Sequence, residues 1–340
     1  MAPNAAPHAA PHAATTAGTT RMTHRIDVAA QPEAVYRIVA DVARWPLYFP
    51  PTVRAAQTSV TESADGGATE ETIRLWALAN GRLRTWESRR SLRPQSLQVE
   101  FEQVTPASPV ALMGGAWRLE PTPEGGTSVR LEHWFRAAGD DPAALEQITR
   151  AVDTNSRSEL EHLRRAAERG DTEAELYLDF SDSETVAGSL SDVYDFVYEA
   201  AKWPVRLPHV ARLELQEDEP GLQFMEMDTR SPDGSVHTTA SGRVCETDRR
   251  ITYKQTTLPP AFLAHNGEWT FEAHPEDDTV TVTSRHFVLL DPEGLAKLPQ
   301  PPASLDAAKQ AVRHALGSNS RATMAKAREF AEARRLAPAK

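Results

Sequence analysis

The sequence predicts an α+β chain built from two tandem copies of one domain, each a curved antiparallel sheet wrapped around a long C-terminal helix. Three observations lead there. Segments recur in a fixed order: Val35-Tyr36 with Trp45-Pro46 returns as Val193-Tyr194 with Trp203-Pro204, Trp117-Arg118-Leu119-Glu120 returns as Trp269-Thr270-Phe271-Glu272, and Asn155-Ser156-Arg157 returns as Asn319-Ser320-Arg321. The offsets of 158, 152 and 164 positions are far too long for a solenoid and fit a pair of complete folds. Within each copy, a strand and a short amphipathic helix precede a run of strands at hairpin spacing, and a long helical pattern closes the unit. That order is an α+β pattern. We therefore expect a tail over residues 1–21, an N-terminal domain over 22–170 and a C-terminal domain over 171–336. In a chain of 340 residues each half is long enough to bury its own core.

The elements follow in order. The tail is rich in Ala, Pro, His and Thr, with two Ala-Pro-His-Ala-Ala copies holding His8 and His12, and has too little to bury to be expected to fold. His24–Val28 and Leu176–Phe180 read as first strands. Val35, Ile38, Val39 and Val42, and likewise Val193, Phe196, Val197 and Ala200, make apolar stripes at helical spacing. Trp-Pro is expected to end each of these helices, because the residue before proline avoids the α region. In the first copy strands follow over Glu71–Ala79, Arg82–Ser91, Leu97–Gln103, Ala116–Glu120 and Ser128–Phe135, separated by Asn-Gly, Arg-Pro and Gly-Gly turn signals. Pro142–Arg169 and Ser304–Arg334 read as the closing helices. A sheet gripping one long helix is the helix-grip fold, and the concave space between them is a natural ligand cavity.

Composition excludes several function classes. The net charge of −11 opposes a nonspecific nucleic-acid binder. The single cysteine, Cys245, allows neither an intrachain disulfide nor a Cys-rich zinc module. No apolar run reaches membrane-spanning length, and the N-terminus has no secretory apolar region, so a cytoplasmic chain is expected. Dinucleotide, Walker A, zinc-protease and serine-elbow motifs are missing, so no cofactor or metal is expected.

The candidate site lies on the inner face of the sheet. Alternation puts Arg82, Arg84, Trp86, Ser88 and Arg90 on one face of their strand, and His237, Thr239, Ser241 and Arg243 on the equivalent face of the second copy. A guanidinium facing a cavity needs a partner. Arg90 and Arg243 are either anchors for ligand oxygens or members of internal ion pairs, Arg90 with Glu102 or Glu132. The closing helices break their apolar stripes with Asn155 and Ser156, and with Asn319 and Thr323, which either bond a ligand or bond back to the preceding turn. Trp45, Trp86, Trp117, Trp134, Trp203, Tyr253 and Trp269 either stack on a flat ligand or fill the core. His133 and His286 are satisfied core histidines or proton-transfer groups, and His265, near a turn, borders the cavity entrance.

These residues resemble those of a known family, the di-domain aromatase/cyclases of bacterial type II polyketide synthases, which are tandem START-like helix-grip proteins. The likeness runs through Arg44-Trp45-Pro46, Ile73-Arg74-Leu75-Trp76-Ala77, Thr85-Trp86-Glu87-Ser88-Arg89-Arg90, Met113-Gly114-Gly115-Ala116-Trp117, Leu207-Pro208-His209-Val210, Tyr253-Lys254-Gln255-Thr256 and Ser318-Asn319-Ser320-Arg321-Ala322-Thr323, and is greatest to the actinorhodin-type branch. It implies that Arg90, matching the family's strand arginine, and Arg243 by internal repeat, are catalytic. It implies substrate contacts by Trp45 and Trp117, whereas the helix asparagine of single-domain relatives is replaced by Glu159 and Thr323. The implied reaction is closure of the first ring of a poly-β-ketone between carbons 7 and 12, with dehydration and aromatisation. The implied partners are the acyl carrier protein that tethers the chain through phosphopantetheine, and other subunits of the synthase. A fixed guanidinium would stabilise the developing enolate, a contribution of ~3 kcal/mol for one such donor. Ser88 with a water, His133, Tyr48 or the substrate itself would take the proton. Arg82, Arg84, Arg89 and Arg93 would form a basic patch for an acidic carrier. The competing expectation is a non-catalytic START-like carrier of a hydrophobic ligand.

Overall fold

The computed structural model describes residues 18–62, 67–79, 81–230, 234 and 236–336; His8 and His12 lie outside them. The described chain forms two seven-stranded antiparallel sheets. The first holds β1 (Thr20–Val28), β2 (Thr52–Glu62), β3 (Thr69–Ala79), β4 (Arg82–Arg93), β5 (Gln98–Gln103), β6 (Val110–Pro121) and β7 (Thr127–Ala137). Strands β2 to β7 meander in sequence and β1 closes the far edge against β7. Helices α1 (Pro32–Ala40) and α2 (Trp45–Tyr48) lie between β1 and β2, and α3 (Pro142–Arg169) follows the sheet.

After the short α4 (Thr172–Leu176) the plan repeats. It comprises β8 (Tyr177–Val186), α5 (Leu190–Tyr198), α6 (Trp203–Arg206), β9 (Val210–Glu219), β10 (Leu222–Arg230), β11 (Val236–Glu246), β12 (Arg250–Thr257), β13 (Phe262–His274), β14 (Thr279–Leu290), α7 (Pro292–Ala296) and α8 (Leu305–Leu336). Strand β8 pairs with β14 as β1 does with β7. The sequence pattern missed β2 and started β1 four residues late. Trp-Pro does not end the first helix: α1 stops at Ala40, and Trp45-Pro46 opens α2 with proline in its first turn, where a missing N–H costs nothing.

Each sheet wraps its long helix. In the first domain Val99, Trp117, Leu119, Val129 and Leu131 meet Leu160, Leu163 and Ala166 of α3. In the second Ile251, Trp269, Phe271, Val280 and Val282 meet Met324, Ala327 and Ala331 of α8. Each fully buried large apolar side chain is worth ~1.5–3 kcal/mol. Asp141 starts α3 by accepting a hydrogen bond from the Ala143 N–H at 2.9 Å.

The two sheets also meet back to back. Val53 and Leu83 pack on Val244, and a Cβ on Gly242 would stand 2.7 Å from Val53 Cγ2, so only glycine admits this approach. Lys254, buried, donates to the Phe49 carbonyl at 2.7 Å, and burial lowers its pKa to about 7.

Candidate active site

Arg90 and Arg243 both point into their sheets and are 2% exposed. Arg90 Nη2 donates to the carbonyls of Val39 at 2.9 Å and Ala40 at 3.2 Å, the free C-terminal acceptors of α1. Arg243 Nη2 donates to the Val197 carbonyl at 2.6 Å at the end of α5. Each guanidinium lies over the Trp-Pro tryptophan of its domain, Trp45 at 5.3 Å and Trp203 at 5.1 Å. These rings are pinned by Nε1 bonds to the Ile38 and Phe196 carbonyls.

The cross-strand partner differs. Opposite Arg90 stands Glu71, with Oε1 3.3 Å from Nη1. Opposite Arg243 stands Gln223, whose Oε1 accepts from Nη1 at 2.7 Å. The ion pair expected for Arg90 thus exists, but with Glu71 and not with Glu102 or Glu132; Glu132 sits on the outer face with Arg118 and Arg130. Arg90 Nη1 and Glu71 Oε1 are buried without a hydrogen bond. Burial lowers the Arg90 pKa to about 10, opposed by the Glu71 charge. A cavity of about 830 Å³ opens between α1, strands β2 to β4 and the end of α3. Tyr36, Tyr48, Gln57, Glu71 and Glu173 line it, so the arginine borders it through its partner.

The interior of the first domain is sparsely polar. His133 on β7 meets Ser156 Oγ of α3 through Nδ1 at 3.3 Å, lies edge-on to Phe101, and is held neutral by burial, with its pKa lowered to about 4. One turn along the same helix face stands Glu159, between the buried Ser156 and Leu163. Glu159 has no hydrogen-bond or ion-pair partner among the described residues. It retains accessible surface, yet burial alone raises its carboxyl pKa to about 7. Retained surface on a deeply placed carboxyl marks a side chain facing an internal space.

The second domain fills the same positions with hydrogen-bonding groups. His286 Nδ1 lies 3.0 Å from Tyr253 Oη and 3.1 Å from His265 Nε2. His286 Nε2 lies 2.8 Å from Ser320 Oγ, which accepts from Ser284 Oγ at 3.0 Å. His265 Nδ1 meets Gln255 Oε1 at 2.9 Å. Burial lowers the pKa of His265 to about 3 and of His286 to about 4, so both imidazoles are neutral. The Tyr253 ring lies on Gly267, where a Cβ would stand 2.3 Å from Oη.

Other expected site residues are placed differently. Asn155 and Asn319 are exposed on their helices, and the adjacent Ser156 and Ser320 face inward. Thr323 bonds back to the Asn319 carbonyl at 3.0 Å. Tyr48 is buried at the domain junction, donating to Glu173 Oε1 at 3.0 Å, with its pKa raised by burial. Trp117 and Trp269 are core residues, and Trp134 is on the outer face under Arg21. Trp86 packs with Ile73 and Leu75, and Ser88 and Ser241 are buried on the inner face. His265 is not at an entrance but 2% exposed inside, because it lies within β13, where regular alternation with Gly267 and Trp269 turns it inward. The basic patch is mostly consumed: Arg82 pairs with Asp218 at 2.6 Å, Arg84 with Glu219 at 3.2 Å and Arg93 with Glu100 at 3.5 Å. The polar cluster of the second domain and the Glu71 and Gln223 partners were not anticipated.

Comparison with known proteins places this geometry. Residues 19–168 and 186–301 each match a family model described as polyketide cyclase / dehydrase and lipid transport. The granaticin polyketide synthase bifunctional cyclase/dehydratase of Streptomyces violaceoruber is 42% identical over 91% of this chain and 93% of its own. The actinorhodin polyketide synthase bifunctional cyclase/dehydratase of Streptomyces coelicolor is 39% identical over 89% of this chain and 94% of its own. The crystal structure of the di-domain ARO/CYC BexL from the BE-7585A biosynthetic pathway superposes with a TM-score of 0.80 and 45% identity, covering 92% of this chain and 99% of that one. The di-domain ARO/CYC StfQ from the steffimycin pathway gives 0.75 and 33%, with the same coverages. With two gripped helices, a matching model on each half and relatives alike along nearly their whole length, the chain belongs to the two-domain polyketide cyclase/dehydratases.

Proposed function

We propose that this cyclase/dehydratase closes the first ring of a carrier-protein-tethered poly-β-ketone between carbons 7 and 12, and that the closure takes place in the domain over residues 22–170. The observation that carries this reading is Glu159, a carboxyl without a partner, facing the interior and titrating near neutrality. A base is most effective with its pKa near the working pH. As carboxylate, Glu159 takes a proton from a methylene flanked by two ketones. The resulting enolate carbon attacks the ketone that will close the ring, and Glu159 returns the proton to the alkoxide. Arg90 supplies fixed positive charge behind Glu71. The carrier protein and the other synthase subunits are the partners, and the reaction is placed in the cytoplasm. Arg89, outside the pairs that occupy Arg82, Arg84 and Arg93, remains for carrier docking.

Product analysis tests this. A minimal type II synthase, with and without ketoreductase, is supplemented with wild type, Glu159→Gln or Arg90→Ala. Loss of the general base is expected to slow formation of the correctly closed ring by ~10²–10⁴-fold. The acid limb of the wild-type pH profile, near pH 7, should vanish with Glu159→Gln. An unchanged product profile in both variants would leave the chain a carrier of a hydrophobic ligand.

A further inference from the structure

The second domain has its own acid–base centre: we propose that Tyr253 is the residue that expels water from the ring after closure, held in its donor orientation by His286 and His265. The assignment rests on the cyclase/dehydratase reading and divides its two steps between the two domains.

The hydrogen-bond polarity carries the argument. Gln255 Oε1 only accepts, so His265 Nδ1 bears the proton in their 2.9 Å contact. His265 is neutral, which leaves its Nε2 bare. His286 Nδ1, 3.1 Å away, must then be the protonated nitrogen. That N–H also points at Tyr253 Oη, 3.0 Å distant. His286 Nε2 is therefore an acceptor, and it takes the Ser320 hydroxyl proton at 2.8 Å, while Ser320 in turn accepts from Ser284. This arrangement gives a proton to every contact of the chain except the longer approach of Ser284 Oγ to His286 Nε2 at 3.3 Å, since the Ser284 proton is directed at Ser320. In it Tyr253 Oη accepts from the imidazole, so its own O–H is not used in the network and is free to donate elsewhere.

Tyr253 is partly exposed although it stands deep in the domain, as a side chain facing an internal space is. Gly267 leaves room for the ring on the sheet. Burial raises the Tyr253 pKa and keeps the phenol protonated, ready to donate, while the nearby Arg243 charge acts in the opposite sense. The first domain cannot do this chemistry at the same place. There Phe101 faces Gly115 as Tyr253 faces Gly267, and Met113 stands where His265 does relative to that glycine.

The ligand class is a β-hydroxy ketone within a newly closed six-membered ring. The Tyr253 O–H gives its proton to the ring hydroxyl, the C–O bond breaks, and water leaves. The phenolate, stabilised by the His286 Nδ1–H, then takes the proton from the α-carbon, whose electron pair forms the new C=C bond. The site returns to its starting state, with one water lost and nothing else consumed. Tyr253 is the catalytic residue; His286 and His265 are positioning residues.

The test uses the full chain in the reconstituted synthase, with early time points analysed by mass spectrometry. Tyr253→Phe is expected to leave ring closure intact and to accumulate a closed product heavier by one water, with dehydration slowed by ~10²–10⁴-fold. His286→Gln, which removes the orienting N–H, should shift the ratio of hydrated to dehydrated ring in the same direction at unchanged total ring yield, a change that loss of folded protein alone would not produce. An unchanged ratio in Tyr253→Phe overturns the proposal. So does loss of all closed product by a folded Tyr253→Phe protein, because the residue would then serve closure. If Tyr253→Phe does not fold, the ratio in His286→Gln decides by the same criterion. Failure of wild type to yield any closed ring would instead sink the reading of the first domain.

Discussion

In the first domain the strand pair at the head of the site joins two charges, Arg90 and Glu71; in the second it joins a charge to an amide, Arg243 and Gln223. The surroundings follow suit. The first domain leaves Arg90 Nη1 and Glu71 Oε1 without hydrogen bonds and places an unpartnered Glu159 on its helix. The second saturates its arginine and packs Tyr253, His265, His286 and Ser320 into one bonded cluster. Thr323, at the helix position of Glu159, spends its hydroxyl on its own backbone. One fold thus holds two chemical temperaments: one site has polar capacity in reserve, and the other has directed all but one of its protons. Duplication preserved the scaffold interactions, helix carbonyl to arginine to tryptophan, while the residues between them diverged.

The largest expected break in this comparison comes from the cross-strand partners. Glu71→Ala strands a buried guanidinium and should cost about 3–5 kcal/mol in urea unfolding. Gln223→Ala removes a neutral acceptor from an arginine that keeps its helix carbonyls, and should cost about 1–3 kcal/mol. Equal losses would mean that the two sites are electrostatically alike. Glu159→Gln sharpens the contrast through pH. The folded pKa of Glu159, about 7, lies above its ordinary 4.5, so the folded state binds the proton more tightly and loses stability as pH rises through that window. The variant should match wild type in Tm below pH 4.5 and exceed it above pH 7, whereas Thr323→Val should show no such crossing. The smallest effect concerns the junction. The Lys254 pKa lies below its ordinary 10.5, so wild type gains stability as pH rises from about 7 to 10.5. Lys254→Met should lose one hydrogen bond, about 1 kcal/mol, and flatten that gain in thermal melts.

Much of this is legible in the amino-acid sequence. The repeat, the strand series and the closing helices follow from periodicity, and strict alternation placed Trp86, Ser88 and Arg90 on one inward face. Three things escaped for physical reasons. A helix turns 100° per residue, so a polar interruption of its stripe does not say which of Asn155 and Ser156 points inward; burial chose the serines. Arg90 finds Glu71 only through the register of β3 on β4, which strand composition does not encode. Asn266-Gly267 has the composition of a turn but lies inside β13, whose regular alternation with Trp269 carries His265 into the interior. Glu159 stood out as a departure from the family pattern, but its isolation from every counter-charge is a property of the packed domain.

The approach of Gly242 to Val53 bears on recombination. Where a main-chain atom of one half rests on a side chain of the other, the contact has no slack to absorb a change on either side. A chimaera that takes its first half from one relative and its second from another must match the residue at 53 to the strand at 242, together with the charges that join Arg54 to Glu246, Arg82 to Asp218 and Arg84 to Glu219. The heritable unit for swapping specificity is therefore the docked pair, and shuffled libraries cut at the junction should recover function mainly from parents that already share that seam.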